Sequence, residues 1–192
     1  MVDIQPTDSA DSNVMRRPTA SGLGRQNRPF DFRAPQMRDG EAVWQLVKSC
    51  PPLDTNSLYL NLLQCTHFAD TCLIAERDGE IRGWVSGYRL PDDGETLFIW
   101  QIAVHPDARG QGLARQLLDR LVQLPGTQGV SRMITTITPS NQPSRRLFAA
   151  FAERRGCSIS ERLFFESALH FGGAHESEHL FSIDLTGNRP AA

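Results

Sequence analysis

The chain has 192 residues, a length typical of a single domain with a sizeable core. Its 20 Lys and Arg residues nearly balance 22 Asp and Glu residues, which argues against a broadly basic surface for nucleic acid or membrane lipid. The sequence has no apolar run long enough to span a bilayer, no signal-peptide core and no Cys-x-x-Cys pair among its four cysteines, so we expect reduced thiols in a cytoplasmic protein.

Composition divides the chain into three parts. Residues 1–29 are rich in Asp, Ser, Asn, Pro, Gly and Arg and contain few large apolar side chains, which predicts a disordered extension. One folded domain is predicted over residues 30–185. The last residues, 186–192, are predicted to form a flexible tail.

Apolar runs and alternating apolar residues, bounded by turn signals, predict seven strands in the folded domain. They are expected at residues 30–33, 71–76, 81–88, 97–104, 132–137, 157–164 and 178–184. Asp78-Gly79 is a strong signal for a tight hairpin. Helical spacing predicts four helices, starting near Asp39, Tyr59, Leu113 and Asn141. The second is expected to continue to Phe68. Together these elements predict an α/β fold with mostly antiparallel strands.

The turn between the fourth predicted strand and the third helix has the features of an anion-binding site. It reads Val104-His105-Pro106-Asp107-Ala108-Arg109-Gly110-Gln111-Gly112-Leu113-Ala114. A strand, a glycine-rich turn and a helix start direct several backbone N–H groups to one point, where the helix dipole is positive. Gly110 and Gly112 allow close approach of an anion, and Arg109 adds a positive charge. The lack of a following Gly-Lys-Ser/Thr disfavours a nucleoside-triphosphate loop, and a helix start that uses glycines only to turn is the plain alternative.

This turn resembles the acyl-CoA pyrophosphate loop of the GNAT N-acetyltransferases, in which Arg or Gln is followed by two residues, Gly, one residue, and Gly or Ala. Arg109, Gly112 and Ala114 occupy those positions. The resemblance implies a GNAT fold, a mixed and mainly antiparallel twisted sheet with helices on both faces and a splayed central strand pair. It also implies acetyl-CoA as the co-substrate, with no metal.

The resemblance assigns cofactor-binding positions to two segments, the end of the strand with its following turn and the helix start near Asn141. In the family, an Asn of the second segment contacts pantetheine, and many members have a Tyr on that helix that protonates the leaving thiolate. This chain has Phe148 at that position. The cofactor-binding residues implied are Ile102, Ala103, Val104, Arg109, Gly110, Gln111, Gly112, Leu113, Ala114, Asn141, Ser144 and Phe148.

A more specific resemblance is to the diaminobutyrate acetyltransferases of ectoine biosynthesis, a branch of the same family linked to osmotic stress. It is carried by residues 50–57, 65–68, 99–101, 135–141 and 175–178. It implies acetyl transfer to the 4-amino group of L-2,4-diaminobutyrate by direct attack in a ternary complex. Because this substrate has two ammonium groups and one carboxylate, its site needs acidic groups, hydrogen-bonding groups and a wall for the carbon chain. The expected substrate-binding residues are Asp54, Asn56, Tyr59, Trp100, His175 and Glu178.

An amine nucleophile needs a base within reach, directly or through one water. Glu178 is the first candidate for this catalytic role and Asp54 is the second. Each has a plain structural alternative, because Asp54 can cap the second helix and Glu178 can be a solvated charge at a strand start. Trp100 can likewise be a core residue instead of packing on a cation.

Residues 175–179 also fit the His-Glu-x-x-His pattern of zinc proteases. That chemistry needs both histidines on one face of a helix. Gly172-Gly173 before the segment and alternating apolar residues after it favour a strand instead. Zinc hydrolysis is therefore disfavoured.

Two other functions stay open on the sequence alone. The same fold can acetylate another amine, such as a polyamine or a protein N-terminus, and a non-catalytic acyl-CoA-binding domain would fit the missing Tyr at Phe148. The resemblance further implies a homodimer, with residues 53–68 near the second subunit and Asp54 of one chain beside Trp100 of the other. No nucleic-acid or membrane partner is expected.

Overall fold

The computed structural model describes residues 28–187, so the predicted extension 1–29 and tail 186–192 lie largely outside the described residues. Within this range the chain forms one seven-stranded sheet with helices packed on both faces. None of the helices in this range is long and apolar enough to cross a membrane.

The strands follow the predicted order along the chain. They are β1 (Asp31–Arg33), β2 (Leu73–Arg77), β3 (Glu80–Leu90), β4 (Asp93–Val104), β5 (Arg132–Ile137), β6 (Ile159–Phe165) and β7 (Glu178–Asp184). Their order across the sheet is β1-β2-β3-β4-β5-β7-β6. Every neighbouring pair is antiparallel except β4 and β5, which are parallel. The predicted mixed and mainly antiparallel α/β fold is thereby confirmed.

The helices are α1 (Gly40–Lys48), α2 (Leu58–Gln64), α3 (Leu113–Leu121), α4 (Gln142–Arg155) and α5 (Ser167–His170). Four of them begin at or next to their predicted starts, and α5 is a further short helix that was not predicted from the sequence. The expectation that the second helix continues to Phe68 is wrong, because α2 ends at Gln64 and the Thr66 hydroxyl donates to the Leu62 carbonyl at 2.9 Å. Such a side-chain bond to the backbone competes with further helix.

Side chains of a strand alternate between its two faces, and this gives the sheet two cores. On one face Leu73 belongs to a buried cluster with Leu117 of α3 and Phe151 of α4. On the other face Ile74 and Trp84 pack with the buried side of α1. Each large apolar side chain buried in this way contributes about 1.5–3 kcal/mol, so both helical layers are held firmly against the strands that carry the site.

The central strands β4 and β5 separate partway along their length. They pair only at residues 96–98 of β4 and 132–134 of β5. Beyond this point β4 continues to Val104 beside β3, while β5 continues to Ile137 beside β7. The backbone groups of β4 that face β5 therefore have no ladder partner there, and an extended ligand can bind such an edge.

A bulge in β4 turns Trp100 toward the opening between the strands. Ile99 pairs with Gly87 and Gln101 pairs with Ser86, so Trp100 is the extra residue. Position 87 requires glycine, because a Cβ there would lie 2.7 Å from the carbonyl oxygen of Phe98. Trp100 remains 44% exposed, which excludes its alternative role as a core residue.

Candidate active site

A cleft of about 770 Å³ opens where β4 and β5 diverge. Its other walls are the loop at residues 51–57, the start of α4 and the segment that precedes β7. A concave site of this size suits a small ligand. The predicted site residues that line it are Asp54, Asn56, Trp100, Ile102, Asn141, Ser144, Phe148, His175 and Glu178.

One predicted substrate residue, Tyr59, lies outside the cleft. The expected proximity of Asp54 and Trp100 occurs within a single chain. Tyr59 is not a lining residue of this cleft; it lies on α2 and is 69% exposed. Its substrate-binding role therefore stays a prediction. Asp54 and Trp100 line the same cleft of a single chain, so their proximity does not require a second subunit.

Glu178 begins β7 and is the most perturbed acid in the cleft. Burial raises its pKa, while a hydrogen bond with Thr136 and the nearby His175 act in the opposite direction. Its Oε2 atom is buried and has no hydrogen-bond partner among the described residues. A half-buried carboxylate with a raised pKa and a free oxygen is suited to accept a proton from a ligand in the cleft.

Asp54 and His175 form the polar wall beside Glu178. The Nε2 atom of His175 lies 3.7 Å from Oδ2 of Asp54, and its Nδ1 lies 2.8 Å from the Glu176 carbonyl oxygen. A proton on Nδ1 satisfies that carbonyl, and a second proton on Nε2 makes the imidazolium an ion-pair partner of Asp54. Asp54 does not cap α2, because the Ser57 hydroxyl oxygen accepts the N–H of Leu60 at 3.1 Å.

The loop that carries Asp54 and Asn56 is held by side chains from two buried elements. Gln101 of β4 is 8% exposed and donates from Nε2 to the Asp54 carbonyl oxygen at 2.9 Å. The Nδ2 atom of Asn56 lies 3.5 Å from Oε1 of Gln101, and Trp44 of α1 donates to the Asn56 carbonyl at 2.9 Å. These contacts position the acidic loop over β4.

The other acid of the segment before β7 is already bonded. The hydroxyl and the N–H of Ser140 both donate to the Glu176 carboxylate. This contact links the loop after β5 to the segment before β7 across the mouth of the cleft. Glu176 therefore adds negative charge, but both of its oxygens have donors.

Aromatic side chains form the apolar wall. The Tyr88 ring lies 5.3 Å from Phe98 and 6.0 Å from Trp100, measured between ring centroids. Offset and tilted pairs at these distances are attractive. Three acids, Asp54, Glu176 and Glu178, thus face a wall that can pack against a short carbon chain.

The glycine-rich turn adopts the geometry expected of an anion cradle. Gly110 and Gly112 have φ of 73° and 70°, and a Cβ at either position would have no neighbour within 4 Å. Gly112 is the residue before α3, and no side chain caps the first N–H groups of that helix. These N–H groups are therefore available to an anion, and the space beside the two glycines is open.

The remaining predicted cofactor residues contribute through their backbone or lie near the turn. The side chains of Ala103 and Leu113 are buried on opposite faces of the sheet, so only their backbone groups can reach a ligand. Arg109 is exposed at the turn, and its Nε lies 3.3 Å from the Val104 carbonyl oxygen. Gln111 is exposed in the turn, and Ala114 is half-buried in the first turn of α3.

The second cofactor segment begins α4. Asn141 caps this helix, because its Oδ1 accepts the N–H of Ser144 at 3.2 Å, while its amide group still lines the cleft. Phe148 is 3% exposed and also lines the cleft. Since a phenyl ring has no proton to give, this position cannot act as a general acid.

The pattern at residues 175–179 is a loop followed by a strand. His175 precedes β7 and His179 lies within it, which confirms the strand expected from the alternating residues. The Nδ1 atom of His179 lies 2.8 Å from Glu161 of β6. Among residues 28–187, no group of three or more His, Cys, Asp and Glu side chains could hold a metal ion.

Sequence reasoning missed Thr136, Tyr88 and the side chain of Gln101. Thr136 and Tyr88 are unremarkable residues of predicted strands, and only the divergence of β4 and β5 brings them to the cleft. Gln101 belongs to the resembling segment 99–101, but no role was predicted for its side chain. Its position beside a bulge is the signal that could have identified its side chain, because a bulge redirects neighbouring residues.

Comparison with known proteins places these features in one family. Residues 40–152 match the acetyltransferase (GNAT) family. The chain is 45% identical over 157 residues to the L-2,4-diaminobutyric acid acetyltransferase of Vibrio cholerae, covering 82% of this chain and 91% of the relative. It is 41% identical over 180 residues to the enzyme of the same name from Chromohalobacter salexigens, covering 92% of each.

Solved structures agree with the sequence comparison. Diaminobutyrate acetyltransferase EctA from Paenibacillus lautus, in complex with its substrate L-2,4-diaminobutyric acid and coenzyme A, superposes with a TM-score of 0.80 at 38% identity. The match covers 85% of this chain and 99% of that one. The ribosomal-protein-S18-alanine N-acetyltransferase of Escherichia coli shares the fold, with a TM-score of 0.63 at 15% identity over 85% of this chain and 97% of its own.

Proposed function

Since the chain belongs to the acetyltransferase (GNAT) family, we propose that it transfers acetyl from acetyl-CoA to the 4-amino group of L-2,4-diaminobutyrate. The product is N4-acetyl-L-2,4-diaminobutyrate, and we propose that it serves ectoine biosynthesis and the response to osmotic stress. The observation that carries this proposal is the cleft itself. It sets three carboxylates against an aromatic wall at the diverging strands, and this arrangement complements a short chain with two ammonium groups.

Bound acetyl-CoA supplies a thioester carbonyl as the electrophile and a thiolate as the leaving group. The residues of the chain prepare the amine. Glu178 takes a proton from the 4-ammonium group, directly or through one water, so that the nitrogen lone pair can attack the carbonyl carbon. Nitrogen–carbon bond formation leaves a cationic nitrogen, which gives its second proton to solvent. The carbon–sulfur bond then breaks, and all of these steps occur in a single ternary complex.

Different side chains of the cleft bind different groups of the amino-acid substrate. Asp54 and His175 at the rim bind the second ammonium group and the carboxylate, and Asn56 adds an amide group nearby. Trp100 packs along the carbon chain and over the cationic end, at a gain of about 0.5–2 kcal/mol. Because Phe148 has no proton to donate, the thiolate leaves as an anion and is protonated by solvent.

The site for the co-substrate uses mostly backbone groups. The unpaired edge of β4 at residues 102–104 accepts the pantetheine arm, and the turn at residues 109–114 holds the diphosphate. Asn141, Ser144 and Phe148 at the start of α4 line the thiol end. This division lets the chain hold both substrates at once, as direct attack requires.

We also propose that the enzyme is a cytoplasmic homodimer. Strand β6 is an edge strand whose residues are all exposed, including Leu163, Phe164 and Phe165. An edge with apolar side chains favours pairing with another chain. Tyr59 lies exposed within residues 53–68, the segment expected near the second subunit, so its proposed contact with substrate depends on the dimer. Light scattering that shows only monomer at assay concentration would remove this part of the proposal.

The direct test of activity is incubation with acetyl-CoA and L-2,4-diaminobutyrate. Thiol release is followed with time, and the product is identified by NMR. Rapid release with acetyl on the 4-amino nitrogen is the expected result. Activity on lysine, ornithine or polyamines without activity on diaminobutyrate would overturn the substrate assignment and keep the acetyltransferase class. Coenzyme A binding without turnover on any amine would favour a non-catalytic acyl-CoA-binding domain.

A further inference from the structure

Arg77, the last residue of β2, is a buried cation that has no acidic partner within the described part of the chain. Its residue surface is 9% exposed, and none of the ion pairs within residues 28–187 includes it. Its Nε atom is buried and has no hydrogen-bond partner among the described residues. The guanidinium carbon lies 3.8 Å from the centroid of the Phe30 ring. An arginine stays charged when buried, so among the described residues this positive charge faces an aromatic ring and an amide oxygen but no carboxylate.

The one polar contact of Arg77 within the described chain leads to the glycine-rich turn. Its Nη2 atom donates to Oε1 of Gln111 at 2.7 Å. The Nε2 atom of Gln111 donates in turn to the Asp107 carbonyl oxygen at 2.9 Å. The Gln111 amide therefore bridges the buried guanidinium to the start of the turn, and both ends of its side chain are held.

The bridge defines the conformation of the turn before any anion arrives. Gly110 and Gly112, on either side of Gln111, both have positive φ, a conformation that is accessible to glycine but gains nothing from local packing. Glycine has no side chain, so neither residue restrains the turn through side-chain contacts. Backbone bonds from Ala108 and Arg109 hold the first part of the turn. The Gln111 amide adds a restraint between the two glycines, and its bond from Arg77 fixes one side of that amide.

We propose that Arg77 is a positioning residue for the diphosphate of the acyl-CoA substrate, acting through Gln111 and through its buried positive charge. The inference rests on the proposed function, because it takes acyl-CoA as the ligand of the turn. Two effects combine. The bridge preorganises the N–H groups of the turn, and a buried charge behind them attracts the anion more strongly than an exposed one does. Bound diphosphate supplies the countercharge that Arg77 lacks among the described residues.

The experiment measures binding of coenzyme A by calorimetry in the wild type and in Arg77→Met. Charge-assisted hydrogen bonds of this kind correspond to about tenfold to a hundredfold in affinity, so we expect the Kd for coenzyme A to rise by that factor. The KM for diaminobutyrate should stay unchanged. Turnover with S-acetylpantetheine, which has the thioester but no diphosphate, should also stay unchanged.

Two further variants test the route through Gln111. Arg77→Lys keeps the charge but loses the planar fork, so its coenzyme A affinity should lie between those of the wild type and Arg77→Met. In a double-mutant cycle, Gln111→Met should weaken binding by itself and add little in the Arg77→Met background. Additive losses would contradict the bridge.

A matched control is Arg120→Met. Arg120 of α3 also stacks on an aromatic ring, 4.1 Å from the Phe32 centroid. Within residues 28–187, no hydrogen bond or ion pair joins its side chain to the turn. The coenzyme A affinity of Arg120→Met should match that of the wild type.

Two results for Arg77→Met would overturn the inference. One is an unchanged Kd for coenzyme A, and the other is an equal loss of activity with acetyl-CoA and with S-acetylpantetheine. If the wild type itself fails to bind coenzyme A, the proposed function fails instead. If Arg77→Met does not fold, Arg77→Lys decides by the same comparison.

Discussion

The candidate substrate site and the candidate cofactor site are built in different ways. The cofactor side is a contiguous segment that starts at Ile102 in the cleft and continues through the turn to the start of α3, outside the cleft lining. It presents mainly backbone N–H groups. The substrate side brings together side chains from three distant segments, near residues 54, 100 and 178. Backbone sites depend on φ and on helix position, whereas side-chain sites depend on packing between elements. The first kind is therefore sensitive to glycine replacement, and the second to the loss of single functional groups.

The largest expected effect is on the substrate side, at Glu178. Replacement Glu178→Gln removes the proposed base, and loss of general-base catalysis costs about 10²–10⁴-fold in turnover. The KM for acetyl-CoA should change little, because the cofactor side is separate. Steady-state kinetics for both substrates measure this split.

The neighbouring acid provides the matched control for Glu178. Glu176→Gln changes the same functional group in the same segment, but both oxygens of Glu176 already accept hydrogen bonds from Ser140. Its turnover should fall far less. Equal losses in the two variants would mean that the negative charge of the cleft matters and that Glu178 has no special role as a base.

The cofactor side is tested at Gly112. Its φ of 70° is strained for any residue with a Cβ, so Gly112→Ala should cost about 1–2 kcal/mol. The cost should appear as about fivefold to thirtyfold weaker coenzyme A binding in calorimetry, with an unchanged KM for the amine. Gly94→Ala is the control, since position 94 is open and has no positive φ. An equal loss of coenzyme A affinity in Gly94→Ala would mean that the effect comes from general destabilisation.

A smaller effect is expected at Gln101, which joins the two sides. Gln101→Leu removes the donor to the Asp54 carbonyl, a bond worth about 0.5–1.5 kcal/mol. We expect the KM for diaminobutyrate to rise about twofold to tenfold while the KM for acetyl-CoA stays constant. The exposed Gln123 offers the same substitution outside the cleft. A rise in both KM values would show that Gln101 supports β4 as a whole and does not specifically position the loop.

The smallest expected effect is a displacement of the pH profile. Burial raises the pKa of Glu178, and the charge of Asp54 raises it further. Because only the ionised base accepts a proton, kcat/KM should fall on the acid side at a higher pH than an ordinary Glu would give. Asp54→Asn removes one raising charge, so this acid limb should move to lower pH by a fraction of a unit. A shift to higher pH would contradict the assigned sign.

Much of the fold follows from local signals. The strands at residues 132–137 and 178–184 agree with prediction because apolar alternation and clear turn signals bound them. The Asp78-Gly79 hairpin also agrees, with φ of 55° and 78° at the two residues. The second helix was overestimated, because apolar spacing alone does not show where Thr66 bonds back to the helix.

The candidate site could be predicted only in part from local sequence patterns. The glycine turn was predictable because its residues are neighbours in the chain and its chemistry lies in the backbone. Glu178, Asp54 and Trp100 came from the resemblance to a family, and the cleft brings all three together. Tyr59 came from the same resemblance, but the single chain leaves it exposed outside the cleft.

The sequence by itself determined the order of the strands, the place of the glycine-rich turn and the family, since each depends on local pattern or on residues in fixed positions. Only the tertiary structure decided that Gln101 holds the Asp54 loop. It also decided that, among residues 28–187, Glu178 has an unpartnered buried oxygen and Arg77 has no acidic partner. Burial and pairing are relations between segments far apart in the chain. They arise when the sheet closes beside its helices, and no local pattern records them.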